Sequence, residues 1–150
     1  MTQQQNSDSP ENVRQHYTAE YFRRWNYADR GLGRFSMYWF ARRYYAALVR
    51  RYAPDFNGDP AENRLLEMGC GMGHLLGLLQ DDFAAVGIDL IDYSIEQTRL
   101  NAPKAEAYQM DVGEIGAHFE PGSFSAVVAL HLVEHLPDPQ DTIRQVNRLL

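Results

Sequence analysis

The chain is expected to fold as an α/β domain, with a mostly parallel, doubly wound sheet carrying helices on both faces. Three observations predict it. From Arg64 onward, short apolar runs alternate with helical stretches. A glycine-rich turn follows the first of these runs, and the preceding third of the chain reads as helical. The length of 150 residues suits one domain with a single core, and 45% hydrophobic with 23% charged residues argues against global disorder.

Residues 1–12 are polar and have no apolar segment, so they are read as a disordered tail and not as a secretory signal. Residues 13–53 form an N-terminal helical segment, with helices expected over 13–25 and 35–52 and a turn at Asp29-Arg-Gly-Leu-Gly33. Aromatics crowd this segment, among them Trp25, Phe35, Trp39, Phe40, Tyr44 and Tyr45. Two readings stay open: a buried helix face with snorkelling arginines, or a lid lining a substrate pocket. Residues 54–63, rich in Pro, Asp, Asn and Gly, are a loop. Strands are then expected at 64–68, 84–89, 105–110 and 124–130, and helices at 74–80, 94–101 and from Asp138 to the end.

Charge is divided unevenly. Residues 13–51 hold nine arginines and two acids, whereas residues 52–150 hold five basic residues and sixteen acids; the net charge is −6. A globally acidic chain is a poor candidate for nucleic-acid binding. No apolar run approaches the ~20 residues of a membrane-spanning helix. The single cysteine, Cys70, excludes an internal disulfide and suits a reducing cytoplasm.

The chemistry is concentrated in Glu67-Met-Gly69-Cys70-Gly71-Met-Gly73. Three glycines at every second position, between a strand and a helix, let the backbone pass close to a ligand. The helix start is expected to add free amides and a positive dipole end. A nucleotide-like ligand at the carboxyl end of the first strand follows for an open α/β sheet. The dinucleotide fingerprint requires a glycine at 74, which is His74, and no Gly-Lys-Ser/Thr follows for a phosphate loop. Asp89 ends the second strand, where an acid accepts from both ribose hydroxyls; Asp92 is its competitor.

The acidic-x-Gly-x-Gly-x-Gly pattern resembles motif I of class I S-adenosylmethionine-dependent methyltransferases, a Rossmann-like family. Tyr108-Gln-Met-Asp111-Val112 resembles its adenine-binding motif. Phe124-Ser-Ala-Val-Val-Ala-Leu-His-Leu-Val-Glu134-His135-Leu136 resembles the fourth motif, with Ser125 where the family usually has aspartate. The resemblance covers about residues 64–150. It implies S-adenosylmethionine as cofactor, the glycine loop on its methionine part, Asp89 on the ribose, Asp111 on the adenine amino group and the Val112 amide at the ring. Glu67 then places the loop or reaches the cofactor's ammonium. Cys70 contributes chiefly its backbone, and Leu90 and Leu130 complete the expected cofactor set. Met68 and Met72 are core or pocket wall.

His131-Leu-Val-Glu134-His135 matches a zinc-peptidase motif, but Pro137 closes the segment and little chain remains for a third ligand. Were one helical turn to follow the fourth strand, His131, Glu134 and His135 would share a face. Some relatives that methylate catechol-like hydroxyls hold a divalent ion here through Glu-x-x-Glu-His, whose first Glu is His131 in this chain. No metal is assigned; His131 and His135 are the candidate catalytic bases, needed only when the acceptor is protonated. The acceptor is read as a small molecule, with a protein or RNA target and a non-catalytic cofactor-binding domain as alternatives. Nucleic-acid and membrane partners are not expected, and the oligomeric state is left open. The sequence stops inside the helix ending at Leu150, before the Pro-Gly-Gly turn, fifth strand and antiparallel pair the resemblance implies. An apparently truncated domain, with its fourth strand an exposed apolar edge, is therefore expected.

Overall fold

The computed structural model describes Glu20, residues 35–53 and residues 62–150. The expected tail at 1–12, the helix expected at 13–25 apart from Glu20, and most of the loop at 54–63 lie outside the described residues.

Helix α1, Met37–Tyr52, begins where the Ser36 hydroxyl accepts the Trp39 N–H at 3.1 Å, and ends with Arg50 and Arg51 on its negative dipole end. One face buries Ala46 and packs Tyr45, Val49 and Ala53 against the apolar core. The other leaves Phe40 and Tyr44 exposed, with Phe35 and Met37 exposed beside it. The aromatics among the described residues of this segment thus divide between core and surface.

The sheet contains β1 (Arg64–Met68), β2 (Ala84–Asp89), β3 (Glu106–Gln109) and β4 (Ala126–Ala129), in the order β3-β2-β1-β4 and parallel throughout. Between them run α2 (Leu76–Leu79), α3 (Asp92–Asn101), and a 3-10 turn at Val112–Glu114 that leads into α4 (Ile115–His118). A second 3-10 turn, Val133–His135, separates β4 from α5 (Pro139–Leu149). Asp138 caps α5 by accepting the Asp141 N–H at 2.9 Å, with Pro139 in the first turn.

Strand alternation builds two cores. Leu65, Ala85, Val128 and Leu130 face the side covered by α1, α2 and α3. Leu66, Met68, Val86 and Ile88 face the side covered by α4 and α5 through Ile115, Val146 and Leu149. The sheet is therefore doubly wound, as the alternating pattern predicts. β1 and β2 are central and buried on both faces, whereas β4 lies at the sheet margin and is half-buried along its length.

The helix expected at 35–52 starts at Met37 and the strand expected at 105–110 spans Glu106–Gln109; three other boundaries differ for a visible reason. The expected helix at 74–80 contracts to the single turn Leu76–Leu79, because residues 71–75 are drawn into turns by the glycine loop. Helix α3 starts at Asp92, two residues early, and Asp92 suits the positive end of its dipole. Strand β4 is shorter than 124–130, since Phe124 and Ser125 donate to Leu149 and Arg64 carbonyls before the ladder begins.

Candidate functional site

Four connections leave the carboxyl edge of the sheet side by side. Across that edge, the strand order aligns Asp111 beyond β3, Asp89 at the end of β2, the glycine loop after β1 and His131 beyond β4. Successive strands run one way from β1 to β3 and then return to its other side at β4, and such a switch point opens a ligand crevice.

Gly69, Gly71 and Gly73 all take positive φ, at 67°, 54° and 72°. At Gly73 a Cβ would also lie 2.8 Å from the Cα of Thr98, so helix α3 closes that position to any side chain. Gly71 is the opposite case, with nothing within 4 Å of where a Cβ would sit. The loop is pinned from below. Its Gly71 carbonyl accepts the Thr98 hydroxyl and its Met72 carbonyl accepts the Asn101 amide, both at 2.9 Å. Three of its amides are engaged within the protein: Cys70 N–H donates to Ile88, Gly73 N–H to Cys70, and Gly71 N–H to the Asp89 carboxylate. These three amides are therefore not free for a ligand, and α2 is only one turn long. Such a loop suits close backbone approach by a ligand better than phosphate neutralisation.

Asp89 joins two parts of the site. One carboxylate oxygen accepts Gly71 N–H and the other Ile91 N–H, both at 2.9 Å. Each oxygen retains a lone pair for a further donor. Burial raises its pKa, opposed by the Ile91 and Gly71 amides. Asp92, the competing acid, is exposed in the first turn of α3.

Glu67 is buried at 3% exposure, and its Oε2 has no hydrogen-bond partner among the described residues. Burial pushes its pKa up to about 8; the Arg42 charge opposes this, the Asp89 charge adds to it, and the Leu76 amide opposes it. Cys70 turns its thiol into the core, 3.6 Å from the Thr98 hydroxyl, and burial pushes that thiol well above its ordinary range. Leu90 follows Asp89, and its carbonyl accepts the Gln109 side-chain amide at 3.2 Å. Asp111 caps the turn at Val112–Glu114 by accepting Gly113 N–H at 2.8 Å. Val112 packs with the α4–α5 core and Leu130 with the opposite one, so the two lie on different faces of the sheet.

His131 and His135 are exposed. His131 adopts left-handed backbone, φ 53°, with Nδ1 3.9 Å from Glu134 Oε1. The turn that follows is 3-10 and starts at Val133, so His131, Glu134 and His135 do not share one α-helical face. Among the described residues no three His, Cys, Asp or Glu side chains gather into a metal-binding set. Leu132 packs over the glycine loop, 3.2 Å from a Gly69 Cβ position.

Sequence reading missed five residues here: Thr98 and Asn101, which hold the loop; Leu132, which covers it; and Arg42 and His74. Thr98 and Asn101 lie three apart on one helix face, a signal too common to single them out. Arg42 reaches the site only because α1 packs beside α2; it hydrogen-bonds the Tyr38 hydroxyl and lies 4.6 Å from that ring's centre. His74 is half-buried, with Nε2 lacking a partner among the described residues; burial and the Arg42 charge bring its pKa down to about 4.

Comparison with known proteins agrees with this geometry. A methyltransferase-domain family matches residues 37–150. A ubiquinone biosynthesis O-methyltransferase from Neisseria meningitidis serogroup A is 33% identical over 102 residues, covering 64% of this chain and 43% of that protein. One from Alkalilimnicola ehrlichii is 36% identical over 104 residues, covering 66% and 42%. The chain thus spans less than half the length of these curated relatives. Among solved structures, magnesium protoporphyrin IX methyltransferase from Synechocystis PCC 6803, with bound S-adenosylmethionine, superposes with a TM-score of 0.68 at 17% identity, covering 96% of this chain and 73% of that one. The [4+2]-cyclase SpnF superposes at 0.63 with 22% identity, covering 79% and 44%. These two likenesses concern the fold alone, and a cyclase among them illustrates that chemistry resides in the site. The family match, the glycine loop and the acid beside it together establish that the chain belongs to the class I S-adenosylmethionine-dependent methyltransferases.

Proposed function

We propose that this domain serves methyl transfer from S-adenosylmethionine to a nucleophilic oxygen, nitrogen or carbon of a small-molecule acceptor. The observation that carries this reading is the Gly71–Asp89 pair, with open space where a Gly71 Cβ would sit and Glu67 Oε2 buried without a partner among the described residues. The residues fit the cofactor: Asp89 offers lone pairs to the ribose hydroxyls, Asp111 and Val112 flank the adenine side, and Glu67 offers a buried acceptor to the ammonium. Leu90 and Leu130 supply apolar wall at the carboxyl ends of β2 and β4. When bound, the cofactor supplies a methyl group already activated on sulfur for in-line displacement. The chain's part is to hold the acceptor in line and exclude water.

Curated relatives named for O-methylation favour a hydroxyl acceptor, which needs a base. His131 and His135 are proposed for that role, and the left-handed backbone at His131, at the mouth beyond β4, supports the choice. Residues 13–53 are proposed as the lid on the acceptor side; the charge of Arg42 reaches Glu67 and His74. The acidic net charge speaks against a nucleic-acid target. The lone buried cysteine supports a cytoplasmic setting, and no described helix is long and apolar enough to cross a membrane.

The test is to incubate the protein with methyl-labelled S-adenosylmethionine and cell extract, then separate labelled products by size. Label in small molecules is expected. Label confined to protein or RNA would overturn the acceptor class, and cofactor binding without any labelled product would indicate a non-catalytic binding domain.

A further inference from the structure

We propose that Gln145 of α5 is a positioning residue for base selectivity: by holding the turn at Val112–Glu114 in place, it aims the Asp111 carboxylate and the Val112 amide at the adenine ring. This rests on the cofactor reading above.

The bonds of the turn itself are short-range. Asp111 Oδ1 accepts Gly113 N–H at 2.8 Å, and the Asp111 carbonyl accepts Glu114 N–H at 3.0 Å. Gly113, at the centre, is exposed and has the backbone freedom of a glycine, so these contacts close the turn without fixing where it points. Gln145 supplies the long-range tie. Its Nε2 donates to the Gly113 carbonyl at 3.1 Å, and its Oε1 accepts Gly116 N–H at 2.8 Å. Both backbone polar groups of Gly113 are thereby engaged, one by Asp111 and the other by Gln145. The approach depends on a second glycine, because a Cβ at Gly116 would lie 2.9 Å from Gln145 Oε1.

The tie is itself anchored. Gln145 Nε2 also donates to Asp141 Oδ2 at 2.7 Å, and Asp141 N–H donates to the Asp138 cap at 2.9 Å. One chain of hydrogen bonds therefore runs from Asp111 through Gly113, Gln145 and Asp141 to the start of α5. The position calls for an amide. A carboxylate there has no donor for the Gly113 carbonyl and would repel Asp141, and an apolar side chain makes none of the three bonds. Asp111 commits Oδ1 to its cap, which leaves Oδ2 for a ligand donor. Its direction is inherited from Gly113, and a binding group is only as well aimed as the residues that support it.

The experiment compares two ligands that differ only in the base. S-adenosylhomocysteine presents an amino donor toward Asp111, whereas S-inosylhomocysteine presents a carbonyl oxygen at that place. Calorimetry is run on the full chain and on its Gln145→Ala and Gln145→Met variants; Gln145→Met keeps the side-chain length and removes the hydrogen bonds. The parent is expected to favour the adenine ligand by about tenfold or more. Both variants are expected to cut that preference to about threefold or less, chiefly by weakening the adenine ligand. Equal weakening of both ligands would show a merely structural role and overturn the proposal, as would a parent-like preference in Gln145→Met. A parent that binds both ligands equally well would overturn the proposal together with the Asp111 role. A parent that binds neither would overturn the cofactor reading itself, a separate and recognisable outcome.

Discussion

Asp89 and Glu67 are neighbours in the site with different tasks. Asp89 is committed to two backbone amides and is thereby oriented before any ligand arrives. A hydrogen bond to a charged group contributes about 1.5–3 kcal/mol, so Asp89→Ala is expected to weaken S-adenosylhomocysteine binding by at least tenfold in a titration; parent-like affinity would move the ribose role to another acid. Glu67 is held in reserve. Its pKa of about 8, against 4.5 for the free side chain, means that the unfolded chain ionises first as pH rises. Its folded form binds more protons between those values, so this group makes stability fall as pH rises from 4.5 to 8. Glu67→Gln is therefore expected to raise stability at pH 8, by an amount on the order of a few kcal/mol read as a higher melting temperature, while weakening cofactor binding. A lower melting temperature at pH 8 would show that the carboxylate is compensated in the empty site. The same shift predicts that binding a cationic ammonium at pH 7 expels the Glu67 proton, read as a dependence of the binding heat on buffer ionisation enthalpy.

At the level of elements, the loop after β1 owes its shape to helix α3. Thr98 and Asn101 hold two of its carbonyls, and the Thr98 backbone leaves no room for a side chain at Gly73. Gly73→Ala combines left-handed strain of about 1–2 kcal/mol with a backbone contact at 2.8 Å that only movement of α3 relieves. Loss of at least ~2 kcal/mol of stability in denaturant unfolding is expected, together with weaker cofactor binding; a neutral effect would mean that α3 is free to shift. Gly71→Ala meets open space and bears only the backbone strain, so it should unfold less readily than Gly73→Ala yet still bind cofactor poorly. The pairing of Gln145 with Gly113 and Gly116 plays a comparable part on the other face, tying the segment after Asp111 to α5.

For the whole molecule, the parallel sheet brings Asp111, Asp89 and the glycine loop to three adjacent strand ends, so binding of cofactor there is expected to stabilise the domain as a unit. Saturation at about 100 times Kd contributes about 2.7 kcal/mol, visible as a rise in melting temperature with S-adenosylhomocysteine. NAD should give no comparable rise, because His74 occupies the position of the third fingerprint glycine and the loop amides of Cys70, Gly71 and Gly73 are already engaged. A larger shift with NAD would reverse the ligand assignment.

Most of the layout was legible without coordinates. Short apolar runs and the glycine spacing are local signals, and they located β1 to β4, the loop and Asp89 at the end of β2; Asp111 came from the motif resemblance. The length of α2 was not legible, because turns forced by three left-handed glycines consume the residues that looked helical. Nor was the geometry after β4, where left-handed backbone at His131 and a 3-10 turn replace the helical face expected of His131, Glu134 and His135. The sequence by itself determined the doubly wound class, which follows from local patterns, and the cofactor family, which follows from the resemblance of its four motifs to those of the methyltransferases. Only the tertiary structure decided that Glu67 Oε2 and His74 Nε2 lack partners among the described residues and that the Arg42 charge reaches both groups. That convergence comes from packing α1 against α2 across a gap of more than twenty residues, and no local pattern encodes it.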